Sequence, residues 1–231
     1  MNKKEMDKIN NSCQSIKGVS NVKKLIKMIA LMICLVLVTG CQSKSEVNVF
    51  SLLNDQIVKQ NQCNSNNEQL TTLLSQETTI YNQIIEKGTN SFEDIRGLVE
   101  EGKENIQGSK QILSDYDLCI RSSLVDETKL SKEIESIKDE KIKDESLLLT
   151  AQYKAYEESL IQYVDALIKL NEAQGAFYNG LDESTSIQVI EELVMAINAA
   201  IDEANQASED HREALVAFNE LYSQYYESYI K

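Results

Sequence analysis

The sequence predicts an all-α fold, an elongated antiparallel bundle of four long helices with coiled-coil-like heptad packing. Three observations predict it. The 231 residues contain no proline, no tryptophan and only eight glycines, which leaves long helices uninterrupted. Apolar side chains recur at alternating steps of three and four over two long stretches, the mark of a left-handed helical seam. Breaks near residues 89, 139 and 181 cut the chain after residue 45 into segments of about 40 to 50 residues. At 1.5 Å per residue these are helices of roughly 60 to 70 Å, and short connections make successive ones antiparallel. The alternative is a three-helix arrangement in which the second and third segments run continuously through Lys138.

Residues 1–40 read as a lipoprotein signal peptide. Lys23, Lys24 and Lys27 form a positive flank, and the eleven residues from Met28 to Val38 carry no charge. That run is too short to cross a hydrocarbon core, which needs about 20 residues. Residues 1–22 make an unusually long n-region. Then Val38, Thr39, Gly40 and Cys41 follow in the order of a bacterial lipobox. In signals of that kind the cysteine thiol takes a diacylglycerol and becomes the first residue of the mature chain. Two acyl chains anchor stably where one is marginal. A signal anchor, or a cysteine standing by chance near a cleavage site, is the alternative. Residues 41–45 would be the acylated N-terminus and a short linker, and 46–231 the helical bundle.

Helix A is expected over about Glu46 to Lys87, weakly packed or kinked at Lys59 to Gln69, where seven of eleven residues are Asn or Gln. Gly88 stops it, and Asn90 or Ser91 caps helix B. Helix B carries Ile95, Val99, Ile106, Leu113, Tyr116 and Ile120, loses register near Arg121 to Thr128, and resumes with Leu130, Ile134 and Ile137. Helix C carries Ile142, Leu149, Tyr153, Tyr156, Leu160, Tyr163, Leu167, Leu170, Phe177 and Leu181, interrupted only by Ser146 and Gln174. Asn179 and Gly180 end it, and Asp182 or Ser184 can cap helix D. Helix D carries thirteen seam positions from Ile187 to Tyr229, of which only Ser208 and His211 are neither apolar nor aromatic.

Removing residues 1–40 takes away seven lysines and two acids, leaving 16 basic against 35 acidic residues, a formal charge of −19. Such a surface repels nucleic acid and anionic polymers at long range, so any contact with them must be local. Nucleic acid is not an expected partner.

The segments Glu77 to Ile95, Tyr153 to Leu160 and Ala196 to Gln206, with the tyrosine-rich end and the lipobox, resemble in order and spacing the YkyA-type family of Gram-positive lipoproteins to which cell-wall binding is ascribed. The resemblance covers nearly the whole chain after the signal. It implies an extracytoplasmic, membrane-anchored helical protein and brings no catalytic residues. The acidic excess and the Asn-rich middle of helix A lend no support to sugar or teichoic-acid binding.

No catalytic set or cofactor motif is legible. His211 is the single histidine, and Ser208, three residues before it, leaves no Glu-x-x-His pair for a metal-binding bundle. Packing within the seam is its better reading. Tyr222, Tyr225 and Tyr229 lie on the helix D stripe and read as core, whereas Tyr226 lies off it. Cys63 and Cys119 are nearly equidistant from the turn after Gly88, so an A–B hairpin brings them to one height. They form either a disulfide or two separate buried thiols.

In the predicted topology the start of helix A, the B–C turn and the end of helix D share the anchored end. Lys129, Lys132, Lys138, Lys141 and Lys143 face only four acids over that window, a local charge of about +1. This is either an ordinary solvated helix end or, through Lys138, Lys141, Lys143 and Tyr226, a patch facing membrane or wall.

The expected function is a membrane-anchored envelope-binding or scaffold lipoprotein without catalysis, cofactor or metal. Its partners would be the membrane, through the diacylglycerol, and wall polymer or another envelope protein. The alternatives are an envelope substrate-binding lipoprotein, and a coiled-coil oligomer acting as a spacer.

Overall fold

The computed structural model describes residues 45–87 and 92–231. The signal segment, Cys41, Gly88 and the expected caps Asn90 and Ser91 lie outside the described residues. Every described element is helical: α1 (Ser45–Gln62), a 3-10 turn (Cys63–Asn66), α2 (Asn67–Lys87), α3 (Phe92–Ser122), α4 (Glu127–Ser136), α5 (Glu140–Gly180) and α6 (Ile187–Tyr229). Helix A is thus α1 and α2, helix B is α3 and α4, and helices C and D are α5 and α6. No strand occurs among the described residues, and the chain is all-α.

The breaks follow local chemistry. The Asn-rich stretch narrows to the 3-10 turn at Cys63–Asn66; asparagine side chains compete with the backbone for hydrogen bonds and weaken a helix interior. Asp126 ends the register slip by capping α4, its carboxylate accepting from the N–H groups of Thr128 and Lys129. Ile137 closes α4, and Asp139 caps α5 by accepting from Ile142 N–H at 3.1 Å. Helices B and C are therefore not continuous through Lys138, and the three-helix alternative falls. Between α5 and α6 the expected caps need correction. Ser186 caps α6, its Oγ 3.4 Å from Val189 N, while Asp182 folds the turn by accepting from Ser184 N–H and the Thr185 hydroxyl. Asp182 bonds so strongly inside its own turn that it is not left to serve the next helix.

The described residues form two compact units. Unit I comprises Ser65–Asp115 and Val164–Gln206; unit II comprises the described residues up to Asn64, Tyr116–Tyr163 and Ala207–Lys231.

Unit I buries Ile80, Ile84, Ile95, Val99, Phe177, Tyr178, Ile190, Val194 and Ile197 in one cluster, with Leu70, Ile112 and Leu113 in a smaller one. Ile95, Val99, Leu113, Phe177, Ile190, Val194 and Ile197 are seam residues of the predicted stripes, whereas Leu70, Ile80, Ile84, Ile112 and Tyr178 join the core from outside them. Lys87 donates to Asp94 O and Asn105 to Leu73 O, so contacts on α3 move forward as those on α2 move back. Gly102 is required by packing, because a Cβ there would strike the Tyr178 ring at Cε1.

Unit II is built on aromatic rings. Phe218 lies 5.1 Å from Tyr153, 5.7 Å from Tyr156 and 5.4 Å from Tyr222, ring centre to ring centre. Phe50 of α1 stacks on Tyr222 at 4.6 Å. Val49, Leu53, Ile120, Leu130, Leu149 and Leu160 complete the core. Large rings supply much burial per residue, and offset or tilted pairs add to it.

Candidate functional site

The end of unit II gathers the start of α1, the end of α4 and the end of α6. Ser45, the first residue of α1, has its hydroxyl 2.5 Å from that of Ser136 at the end of α4. Tyr225, near the end of α6, is almost fully buried; its hydroxyl donates to Glu46 O at 3.3 Å and lies 2.8 Å from Ser146 Oγ on α5. Tyr229 donates to Glu145 at 2.6 Å, and Tyr222 to Asn54 Oδ1 at 3.1 Å. The Glu145 carboxylate beside Tyr229 favours its protonated phenol and pushes the group up to about 12. Ser146 interrupts the helix C stripe because the Tyr225 hydroxyl needs a partner there.

The expected patch residues fall around this end with different roles. Lys138 stands exposed in the α4–α5 connection, and Lys141 and Lys143 lie in the first turn of α5. Lys141 pairs with Glu145 at 3.8 Å. Tyr226 leans on Phe50, ring centres 5.6 Å apart, and is half-buried. It is therefore more a packing residue than its off-stripe position suggests.

Cys63 and Cys119 are joined by a disulfide with Cα atoms 5.7 Å apart, inside unit II. Helix axes normally stand 8–10 Å apart, and Cys63 opens the 3-10 turn, where the chain departs from α-helical geometry. His211 packs between Tyr156 and Tyr163, ring centres 5.3 and 6.0 Å away, with Nδ1 3.1 Å from Ser159 Oγ. Burial pushes its imidazole down to about 4, so the ring is neutral. Among the described residues no group of three or more His, Cys, Asp or Glu side chains is placed to hold a metal ion.

Two buried carboxylates escaped the sequence reading. Glu77 of α2 accepts from Gln174 Nε2 at 2.8 Å and from the Tyr178 hydroxyl at 3.0 Å. Burial pushes it up to about 7, against the opposing hydrogen bond from Tyr178. In unit II, Glu157 accepts from Gln60 Nε2 at 3.0 Å and Val125 N–H at 3.1 Å, and burial pushes it up to about 7 as well. A signal existed: Leu70, Leu74, Glu77, Tyr81 and Ile84 repeat at steps of three and four, and a carboxylate on such a seam is out of place. Gln174 was visible as the matching interruption. What joined them lies 97 residues along the chain.

A groove of about 350 Å³ in unit I is lined by Lys103, Ile106, Gln107 and Lys110 of α3 and by Asn171, Glu172, Gly175, Ala176 and Asn179 of α5. It is polar and open, unlike the enclosed, mainly apolar cavities that hold small molecules. No described helix is long and apolar enough to cross a membrane.

The family profile of YkyA, described as "putative cell-wall binding lipoprotein", matches residues 44–228. No curated protein and no solved structure matches the chain.

Proposed function

Since the chain belongs to the YkyA family of lipoproteins, we propose that it is held on the outer face of the cell membrane by acylation of Cys41 and works there as a non-catalytic binding or scaffold protein. The observation that carries this reading is the position of Ser45. Helix α1 starts only four residues after the lipobox cysteine and is bonded at once to Ser136, so the helical body follows the anchor with almost no spacer. Residues 1–40 act as the signal. Catalysis finds no support in the buried carboxylates: Glu77 and Glu157 are 4% and 6% exposed and bonded to amide, phenol or backbone groups. An envelope substrate-binding lipoprotein would favour an enclosed pocket, which the open groove beside Gly175 is not.

The wall partner is met locally, because a formal −19 opposes long-range attraction to anionic wall polymers. The test of the anchor is Cys41→Ala in the native cell. Mass spectrometry of the mature N-terminus is expected to show a diacylated Cys41 in the unaltered protein, and unprocessed or released chain in the variant. An unmodified Cys41 in the unaltered protein would sink the reading. Co-sedimentation with purified wall and membrane fractions then decides whether wall, membrane or both retain the protein.

A further inference from the structure

We propose that the end of unit II, where α1 begins, α4 gives way to α5 and α6 finishes, lies directly against anionic lipid head groups, with Lys138 and Lys143 at lipid phosphates. The proposal rests on acylation of Cys41 and goes beyond it, since an anchored protein could equally stand off the bilayer on a long linker.

Reach comes first. From Cys41 to Ser45 the chain spans at most roughly 14 Å when fully extended, so Ser45 stays close to the head-group layer whatever path those residues take. The rest of the end comes with it. Ser136 is held to Ser45 at 2.5 Å and stands two positions before Lys138, while Glu46 O receives the Tyr225 hydroxyl and Tyr225 is tied to Ser146 on α5.

Charge comes second. Four acidic groups near this end are held by hydrogen bonds or ion pairs. Glu133 accepts from Asn48, Asp139 from Ile142 N–H, Glu145 from Tyr229 with Lys141 beside it, and Glu227 pairs with Lys231. Lys129 is held by Asp126. Lys138 and Lys143 have no ion-pair partner among the described residues. Glu135, Glu140 and Asp144 remain as opposing charges, and from Lys129 to Lys143 five lysines stand against four acids, a local charge of about +1 in a chain of −19. A weakly repelled part of the molecule is thus the part the tether brings to the membrane. Basic residues near an anionic leaflet are attracted over about a Debye length, and salt screens that attraction.

The test uses the full acylated protein in vesicles of phosphatidylglycerol and phosphatidylcholine, with nonionic detergent as the reference. A water-soluble amine-reactive reagent and mass spectrometry read each lysine. Lys154, further along α5 and paired with Glu127 at 2.8 Å, is the internal standard. Modification of Lys138 and Lys143 relative to Lys154 is expected to fall several-fold on the vesicles and to recover at high salt. Equal modification in vesicles and detergent would overturn the proposal while leaving the anchor intact. Equal protection on vesicles of phosphatidylcholine alone would overturn the role of head-group charge. Failure of the protein to float with any vesicle, with Cys41 unmodified, would remove the anchor and this proposal together.

Discussion

Glu77 and His211 show how burial sets a proton. Glu77 is held near 7, above its ordinary 4.5, so the folded protein binds that proton more tightly than the unfolded chain does. Its contribution to stability is fully present below about 4.5 and is lost as pH rises through about 7. Glu157 acts in the same direction. His211 works oppositely: with the folded imidazole at about 4 against an ordinary 6.5, its contribution is present above 6.5 and is lost as pH falls toward 4. Glu77→Gln isolates the first effect. The new amide can still meet Tyr178 and Gln174, whose Oε1 is buried without a partner. Denaturant titrations from pH 5 to 8 are expected to show the unaltered protein losing stability relative to the variant as pH rises, by up to about 3 kcal/mol. Parallel pH profiles would refute a buried, proton-holding Glu77.

At the scale of the element, α3 offers a paired test of packing against propensity. Gly97 is exposed in the helix with nothing within 4 Å of a built Cβ, whereas a Cβ on Gly102 would strike the Tyr178 ring. Gly97→Ala is expected to stabilise by about 0.5–1 kcal/mol, the ordinary helix preference for alanine. Gly102→Ala is expected to destabilise by about 1–3 kcal/mol, because Tyr178 must leave its place against Glu77. Thermal unfolding of both variants checks the pair, and two stabilising substitutions would show that Tyr178 moves freely. The disulfide belongs to the same scale. It closes a sequence separation of 56, which the chain-entropy account values at about 4 kcal/mol. Cys63→Ser with Cys119→Ser should lower the denaturant midpoint accordingly, and reductant should then have no further effect. Asp126→Ala removes the α4 cap and should cost about 1 kcal/mol.

For the whole molecule, the question is whether the seams are completed by a second copy. Val194, Ile197, Phe218 and Tyr225 are each less than 5% exposed within one chain, so no partner is needed to cover them. Sedimentation of the chain from Gln42 onward is expected to give a monomer at all concentrations; a concentration-dependent dimer would restore the oligomeric spacer. The seam stripes, the breaks near 139 and 181 and the weak middle of helix A were all legible, because each is written in neighbouring residues. The buried carboxylates were not. Glu77 shows as a misplaced charge in its own helix, but Gln174 and Tyr178, which hold it, are 97 and 101 residues away.

The sequence by itself determined that this chain is helical, where its helices weaken, which faces they bury and which cysteine stands in a lipobox. Those properties depend on backbone period, capping and composition, which act over a few residues. Only the tertiary structure decided that Cys63 meets Cys119, that Tyr225 reaches both Glu46 and Ser146, and that among the described residues Lys138 has no ion-pair partner while Lys141 has one. Such choices depend on which distant segments close on one another, and side chains of identical type then differ because burial and neighbours, not sequence position, set their charge and contacts.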